Sequence, residues 1–255
     1  MRKRLFALLL LSLSAFAQGV QPLTITSAAS TSAGLAPESL ATAFGANLAN
    51  GTAMAEVTPW PTSLGGVVVQ ITDSAGVMRP AGLIYVSPTQ INFQIPSGTV
   101  TGMATVIVNN NFGSSATVPI QAVAPALFSV NSRGVAAATA VAIAIPSTAQ
   151  FPVPVFQCVD TAESCALVPI DPGLDRPVFL SFYGTGIRGR SSLENATVTI
   201  GAITVKALYA GPQSQIPGLD QVNVPLPLSL RGAGEVDVVV TVDGIASNPV
   251  KIRVK

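Results

Sequence analysis

The sequence predicts an all-β chain made of two tandem immunoglobulin-like β-sandwich domains, and three observations carry that expectation. The first is residue supply. Of 255 residues only 10% are charged and 5% aromatic, so any core must be built from aliphatic side chains, while 22 glycines and 20 prolines break the chain often. The excess of Val, Ala, Ile, Thr and Ser is the mixture that short strands and tight turns require. The second is pattern: apolar and polar residues alternate with a period of two over short runs bounded by Gly, Pro, Asn or Asp. The third is duplication. Leu83-Ile-Tyr-Val-Ser-Pro-Thr-Gln-Ile-Asn-Phe-Gln-Ile-Pro96 returns as Ala207-Leu-Tyr-Ala-Gly-Pro212 followed by Gln221-Val-Asn-Val-Pro-Leu-Pro227.

The chain opens Met1-Arg-Lys-Arg4, runs apolar from Leu5 and reaches Ala15-Phe16-Ala17. A basic start, an apolar centre and a small-x-small end predict a signal peptide over residues 1–17, cleaved before Gln18. The apolar run is shorter than the roughly 20 residues a spanning helix needs, and no cysteine follows the cleavage point to carry a lipid. The expected address is secreted, cell-surface or periplasmic, with no membrane span. Cleavage removes Arg2, Lys3 and Arg4 from a chain of 13 Lys+Arg and 12 Asp+Glu, so the mature protein is close to neutral. Nucleic-acid binding is excluded as a function class because no basic patch is available to neutralise phosphates. Arg188-Gly-Arg190 reads as a solvated turn.

The first domain is expected over residues 18–124. An apolar strand ends at Phe44-Gly45 and leads through Ala46-Asn47 to Leu48, with glycine marking a backbone bend that a side chain would obstruct. Val67, Val69 and Ile71 fall two residues apart, with Gln70 and Thr72 on the opposite side, as a strand with one buried face, closed by the turn Asp73-Ser-Ala-Gly76. The duplicated segment follows as strand, Ser87-Pro88 turn and strand. The hairpin Ala104–Val108 and Ser115–Ile120, turning at Asn109-Asn-Asn-Phe-Gly113, completes the domain.

The second domain is expected over residues 125–255 in the same order. Val135–Ile145 reads as its first strand, because β-branched residues and the exit through Pro146 outweigh the alanine content. Tyr183-Gly-Thr-Gly-Ile187 corresponds to Phe44-Gly-Ala-Asn-Leu48 with glycine in place of asparagine. Asn195–Ile200 corresponds to the strand through Val69. Val236–Val242, Asp243-Gly244 and Ser247–Val254 form the closing hairpin, Asp-Gly being a strong signal for a tight turn. An insertion at about 151–171 has no counterpart in the first domain. It carries Cys158 and Cys165, the two cysteines of the chain, between flanks that look like paired strands. Export allows a disulfide to persist there, so a Cys158–Cys165 bridge is expected.

Phe44-Gly-Ala-Asn-Leu48, Pro61-Thr-Ser-Leu-Gly-Gly-Val67, Tyr85-Val-Ser-Pro-Thr-Gln-Ile-Asn-Phe-Gln-Ile-Pro96, Ala124-Pro-Ala-Leu-Phe128, Tyr183-Gly-Thr-Gly186, Leu208-Tyr-Ala-Gly211 and Asp220-Gln-Val-Asn-Val224 follow one another in this order. On these motifs the chain resembles a secreted Solibacter-type uncharacterised C-terminal domain family. Its repeats look like the IPT/TIG class of immunoglobulin-like domains. The resemblance implies fold and secretion and transfers no catalytic residue.

An enzyme is not expected. The chain has no histidine, which removes Ser-His-Asp and Cys-His activation and the commonest zinc ligand. A Ser-Lys pair would have to use Lys206 or Lys251, which sit in strands whose other copy lacks the lysine. Asp160, Glu163, Asp171 and Asp175 lie close in sequence and could suggest a carboxylate pair or a calcium loop. Their spacing matches no such loop, so they read as solvated turn residues, and no metal or cofactor is expected.

The candidate ligand contacts are Trp60, held between two prolines, and Tyr85 and Tyr209, which occupy equivalent positions as do Asn92 and Asn223. A repeated aromatic and amide can stack on and hydrogen-bond a sugar. The same repetition also follows from a core tyrosine and an amide that holds the neighbouring turn. The sequence therefore predicts an exported, non-catalytic structural, adhesive or protein-binding module whose partner is a cell-envelope protein or polysaccharide. The alternative is a carbohydrate-recognising accessory protein of a secreted polysaccharide-degrading system.

Overall fold

Val69 and Ile71 are buried while Gln70 and Thr72 face outward, and the same alternation sorts Ile91, Phe93 and Ile95 inward from Gln90, Asn92 and Gln94. Repeated strand by strand, this rule builds every sheet in the computed structural model, which describes residues 21–32, 34–109 and 113–255. The expected signal peptide over residues 1–17 and the tip of the turn after Asn109 lie outside the described residues.

The principal strands of the first half are β1 (Thr24–Ser27), β2 (Leu40–Phe44), β3 (Val68–Thr72), β4 (Met78–Pro80), β5 (Gly82–Val86), β6 (Gln90–Gln94), β7 (Gly102–Asn109) and β8 (Ser114–Ile120). The second half repeats the series as β9 (Ala138–Ile143), β10 (Val178–Thr185), β11 (Ala196–Ile200), β12 (Ile203–Lys206), β13 (Tyr209–Pro212), β14 (Asp220–Pro225), β15 (Gly234–Val242) and β16 (Val250–Val254). In the first sandwich a front sheet ordered β1-β2-β6-β5 faces a back sheet ordered β8-β7-β3-β4. In the second, β9-β10-β14-β13 faces β16-β15-β11-β12. Each strand thus finds its copy eight places later, and both orders are those of immunoglobulin-type sandwiches. Ala138–Ile143 is a strand, as its β-branched content predicts.

Two separate aliphatic cores result. One runs from Ile25 to Ile120 and contains Phe93; the other runs from Val123 to Val254 and contains Phe182. Each fully buried Val, Ile, Leu or Phe contributes about 1.5–3 kcal/mol of transfer free energy, so these layers are the main force holding each pair of sheets together.

The bends after β2 and β10 show why glycine and asparagine exchange there. Asn47 has φ +54° and Gly186 φ +73°, and asparagine and glycine are the residues that enter this left-handed region most readily. A Cβ on Gly184 would lie 2.5 Å from the Ala126 carbonyl oxygen, which confirms the expected obstruction. At the closing hairpin Asp243 (φ +48°) and Gly244 (φ +81°) are both left-handed, and Val242 pairs with Ile245 across them. Positive φ at both central residues is what a type I′ turn needs.

The inserted hairpin pairs Phe156–Gln157 with Ala166–Leu167, and Cys158 and Cys165 are disulfide-bonded. It lies between β9 and Pro169–Ile170, a short strand that runs parallel to β16.

The turn after β3 is organised by one buried carboxylate. Asp73 Oδ1 accepts from the amides of Ala75 and Val77, and Oδ2 accepts from Val100 N–H and from Arg79. Burial opposes ionisation, but the amides of Val100 and Val77, the Arg79 guanidinium and the Ala75 amide outweigh it and hold the carboxyl below its usual range. The unfolded chain therefore takes up this proton at a higher pH than the native one. The stability Asp73 supplies is present above about pH 4 and lost as the pH falls through the native value. Asp73→Ala is expected to lower the urea midpoint at pH 7 and to flatten its decline below about pH 4; a pH series of urea melts on both proteins checks this.

Candidate functional site

The most regular surface of the molecule is the outward face of the two front sheets. In the first sandwich Phe44 lies opposite Gln90, and in the next row Thr42, Asn92 and Tyr85 follow one another across β2, β6 and β5. In the second, Tyr183 lies opposite Gln221, and Ser181, Asn223 and Tyr209 make the next row. The two copies share one internal bond: Gln90 Nε2 donates to Asn92 Oδ1 at 2.8 Å, and Gln221 Nε2 donates to Asn223 Oδ1 at 2.7 Å.

Strict alternation would not place the tyrosines there. Leu83 and Tyr85 are two residues apart and should share a face, yet Leu83 is buried against Phe93 while Tyr85 pairs with Asn92 on the outside. A register shift between Leu83 and Tyr85, a β-bulge, adds the residue that turns Tyr85 outward. Ala207 and Tyr209 split in the same way: Ala207 is buried and Tyr209 is 37% exposed. The alternative of a core tyrosine does not hold: Tyr85 is half-buried on the outer face and Tyr209 is exposed, and neither belongs to a core. Phe44, the last residue of β2, is 44% exposed. Tyr209 donates its hydroxyl to the Pro212 carbonyl at 2.6 Å, so its ring leans over Gly211; a Cβ there would meet the hydroxyl at 3.2 Å and Arg190 Nη1 at 3.4 Å.

Trp60 lies elsewhere, at the junction of the sandwiches. Its indole N–H donates to the Pro217 carbonyl at 3.1 Å, and its Cβ lies so close to Gly82 that a side chain at that position would come within 2.9 Å. Beside it Leu40 N–H donates to Thr185 Oγ1, and that hydroxyl donates to the Gly218 carbonyl. Arg188 completes the junction: Nε donates to Asp220 Oδ1 at 2.7 Å, and Nη1 reaches Glu38 of the first sandwich at 3.4 Å. The Arg188 side chain is 12% exposed and that of Asp220 is 0% exposed. This corrects the reading of Arg188 as a solvated turn residue. Burial pushes the Asp220 carboxyl above its usual range, opposed by Arg188 and by the amides of Ile187 and Arg188.

The acidic residues of the insertion do not converge. Glu163 accepts from the Ser132 amide and hydroxyl, and Asp171 pairs with Arg231. Among the described residues no three His, Cys, Asp or Glu side chains form a group able to hold a metal ion. Arg133 donates to the carbonyls of Glu163 and Cys165, tying the disulfide hairpin to the turn before β9. A wide cleft of about 640 Å³ beside Asp243 went unnoticed in the sequence. Its carboxylates already have partners, Ser191 for Asp243 and Lys206 for Glu194.

Compared with protein-family models and with curated proteins, the chain matches none.

Proposed function

We propose that the mature chain is an exported, non-catalytic binding module that acts as a structural or adhesive element outside the cytoplasm. The observation that supports this reading is the outward pair of front faces, on which the same aromatic and amide side chains stand in the same register in both halves. Outward side chains that belong to neither core, duplicated in place, are what a contact surface requires. The family resemblance, with its IPT/TIG-like repeats, belongs to the same proposal and fits an exported role. No helix among the described residues is long and apolar enough to cross a membrane.

A second reading, a carbohydrate-recognising accessory protein, is favoured by one specific feature: the rings flank amides rather than charges. Pull-down with residues 18–255 immobilised, against isolated cell envelope and insoluble polysaccharides, tests both. Specific retention of either is the expected result, and retention of neither would sink the proposal.

A further inference from the structure

We propose that the two front faces form a duplicated platform for a neutral polysaccharide, each sandwich holding one stretch of sugar chain between its two rings; the inference rests on the reading of the protein as an exported binding module.

The register supplies the geometry. On each face one ring stands on the second strand, Phe44 or Tyr183, and the other stands two strands away and one row along, Tyr85 or Tyr209. With strands about 4.8 Å apart and two residues rising about 7 Å, the ring-bearing positions lie roughly 12 Å apart on the diagonal. An oligosaccharide bridges that span and a single hexose does not. Between the rings lies the amide pair, Gln90–Asn92 or Gln221–Asn223.

The hydrogen-bond inventory supplies the chemistry. Asn92 Oδ1 is occupied by Gln90 and by the Thr42 hydroxyl at 3.2 Å. The Asn92 N–H groups and the Gln90 carbonyl oxygen are left outward, and the same groups of Asn223 and Gln221 are left in the second copy. Each face therefore offers donors and an acceptor next to exposed ring surface. A sugar ring presents the matching combination, an apolar C–H face for stacking and hydroxyls at its rim that both donate and accept.

Charge narrows the class. None of the four ring and amide positions on either face is a carboxylate or an amine, so nothing there selects for uronic acids or sulfated sugars. Arg190 stands beside Tyr209 only, at the margin of the second copy. Two faces on one chain also make binding bivalent, which raises overall affinity well beyond that of either face when one polymer engages both.

Native gels cast with hydroxyethylcellulose, galactomannan, mixed-linkage β-glucan, dextran or polygalacturonate test this on residues 18–255. Retardation by at least one neutral polymer and none by polygalacturonate is expected. Tyr209→Ala and Phe44→Ala should each weaken it about 3- to 10-fold, the scale of one lost stacking contact. The double variant should lose about 10- to 100-fold, the product of the two single losses, because the two rings lie on different faces of one bivalent binder. Thermal midpoints and Trp60 emission, recorded on every variant, establish that the fold and the junction are intact. Both substitutions lie on the sheet surface, and Gln221→Ala with Gln90→Ala supplies an independent pair if either tyrosine or phenylalanine variant melts early. Unchanged retardation of the double variants, or retardation by polygalacturonate alone, overturns the platform. If no polymer retards the protein while isolated cell envelope still retains it, the glycan inference fails and the binding-module reading stands. If neither occurs, both fail.

Discussion

Arg188→Ala is expected to lower the unfolding free energy at pH 7 by about 3–5 kcal/mol, the cost of leaving a buried charge without its partner. Asp220 is shielded from water, and the guanidinium that meets it also reaches Glu38 in the other sandwich. Removing Arg188 thus strands the Asp220 carboxylate and severs a contact across the junction. The pH dependence identifies the cause. Burial already raises the Asp220 carboxyl, and without Arg188 it rises further, so the native state holds this proton at a pH where the unfolded chain has released it. Stability then falls as the pH rises through the native value. Relative to the parent protein, the deficit is largest at neutral pH and shrinks on acidification. Urea melts at pH 7 and pH 5 measure it, with Trp60 emission reporting the junction through its bond to Pro217. Adding Asp220→Asn should restore most of the loss, since an asparagine carbonyl still accepts from the Ile187 and Arg188 amides. A loss that is the same at both pH values and unmoved by the second substitution would show that Arg188 acts by packing alone.

This junction is also the part of the structure that the sequence conceals. The two sandwiches are legible because they rest on local rules. Period-two alternation sends Val69, Ile71, Ile91 and Phe93 inward, and the duplicated segment makes each half a check on the other. The Cys158–Cys165 hairpin follows from short flanks of strand-forming residues around a polar loop, and Asp243-Gly244 announces its own turn. Arg188 carries no such signal. In sequence it is one of two arginines around a glycine, and only the approach of Asp220, 32 positions away, turns it from a surface charge into a buried one. Trp60 is similar, since its partner is a backbone carbonyl 157 positions distant. The outward tyrosines are hidden for a different reason. A β-bulge changes which face a side chain takes without changing the residue pattern, so Leu83-Ile-Tyr-Val86 reads as an unbroken strand while the chain inserts one extra residue before Tyr85. Comparing the two copies reveals that Tyr85 and Tyr209 are equivalent; it cannot reveal which way they point.

Gly186→Ala should cost about 2–5 kcal/mol, and the size follows from two additive causes. The first is local: with φ at +73°, a residue with a Cβ is held in the left-handed region at a cost of about 1–2 kcal/mol. The second is contact. A Cβ on Gly186 would stand 2.2 Å from the Ala124 carbonyl oxygen and 2.8 Å from its carbon. The obstacle is backbone, so no rotamer change relieves it, and forced displacement of packed groups adds about 1–3 kcal/mol. That backbone is the connection between the sandwiches, which crosses the bend after β10 and donates a bond from Ala124 N–H to the Gly186 carbonyl at 2.9 Å. The substitution therefore pushes the connection off its seat, and its effect should extend beyond the second sandwich to the junction. Gly98→Ala, in the turn between β6 and β7, provides the comparison. It has the same left-handed backbone, φ +70°, but open space where the new Cβ would stand, so it should cost about 1–2 kcal/mol for the backbone and leave Trp60 emission unchanged. Equal losses at the two glycines, measured by urea unfolding under one set of conditions, would mean that conformation alone decides and that the close approach of Ala124 contributes nothing.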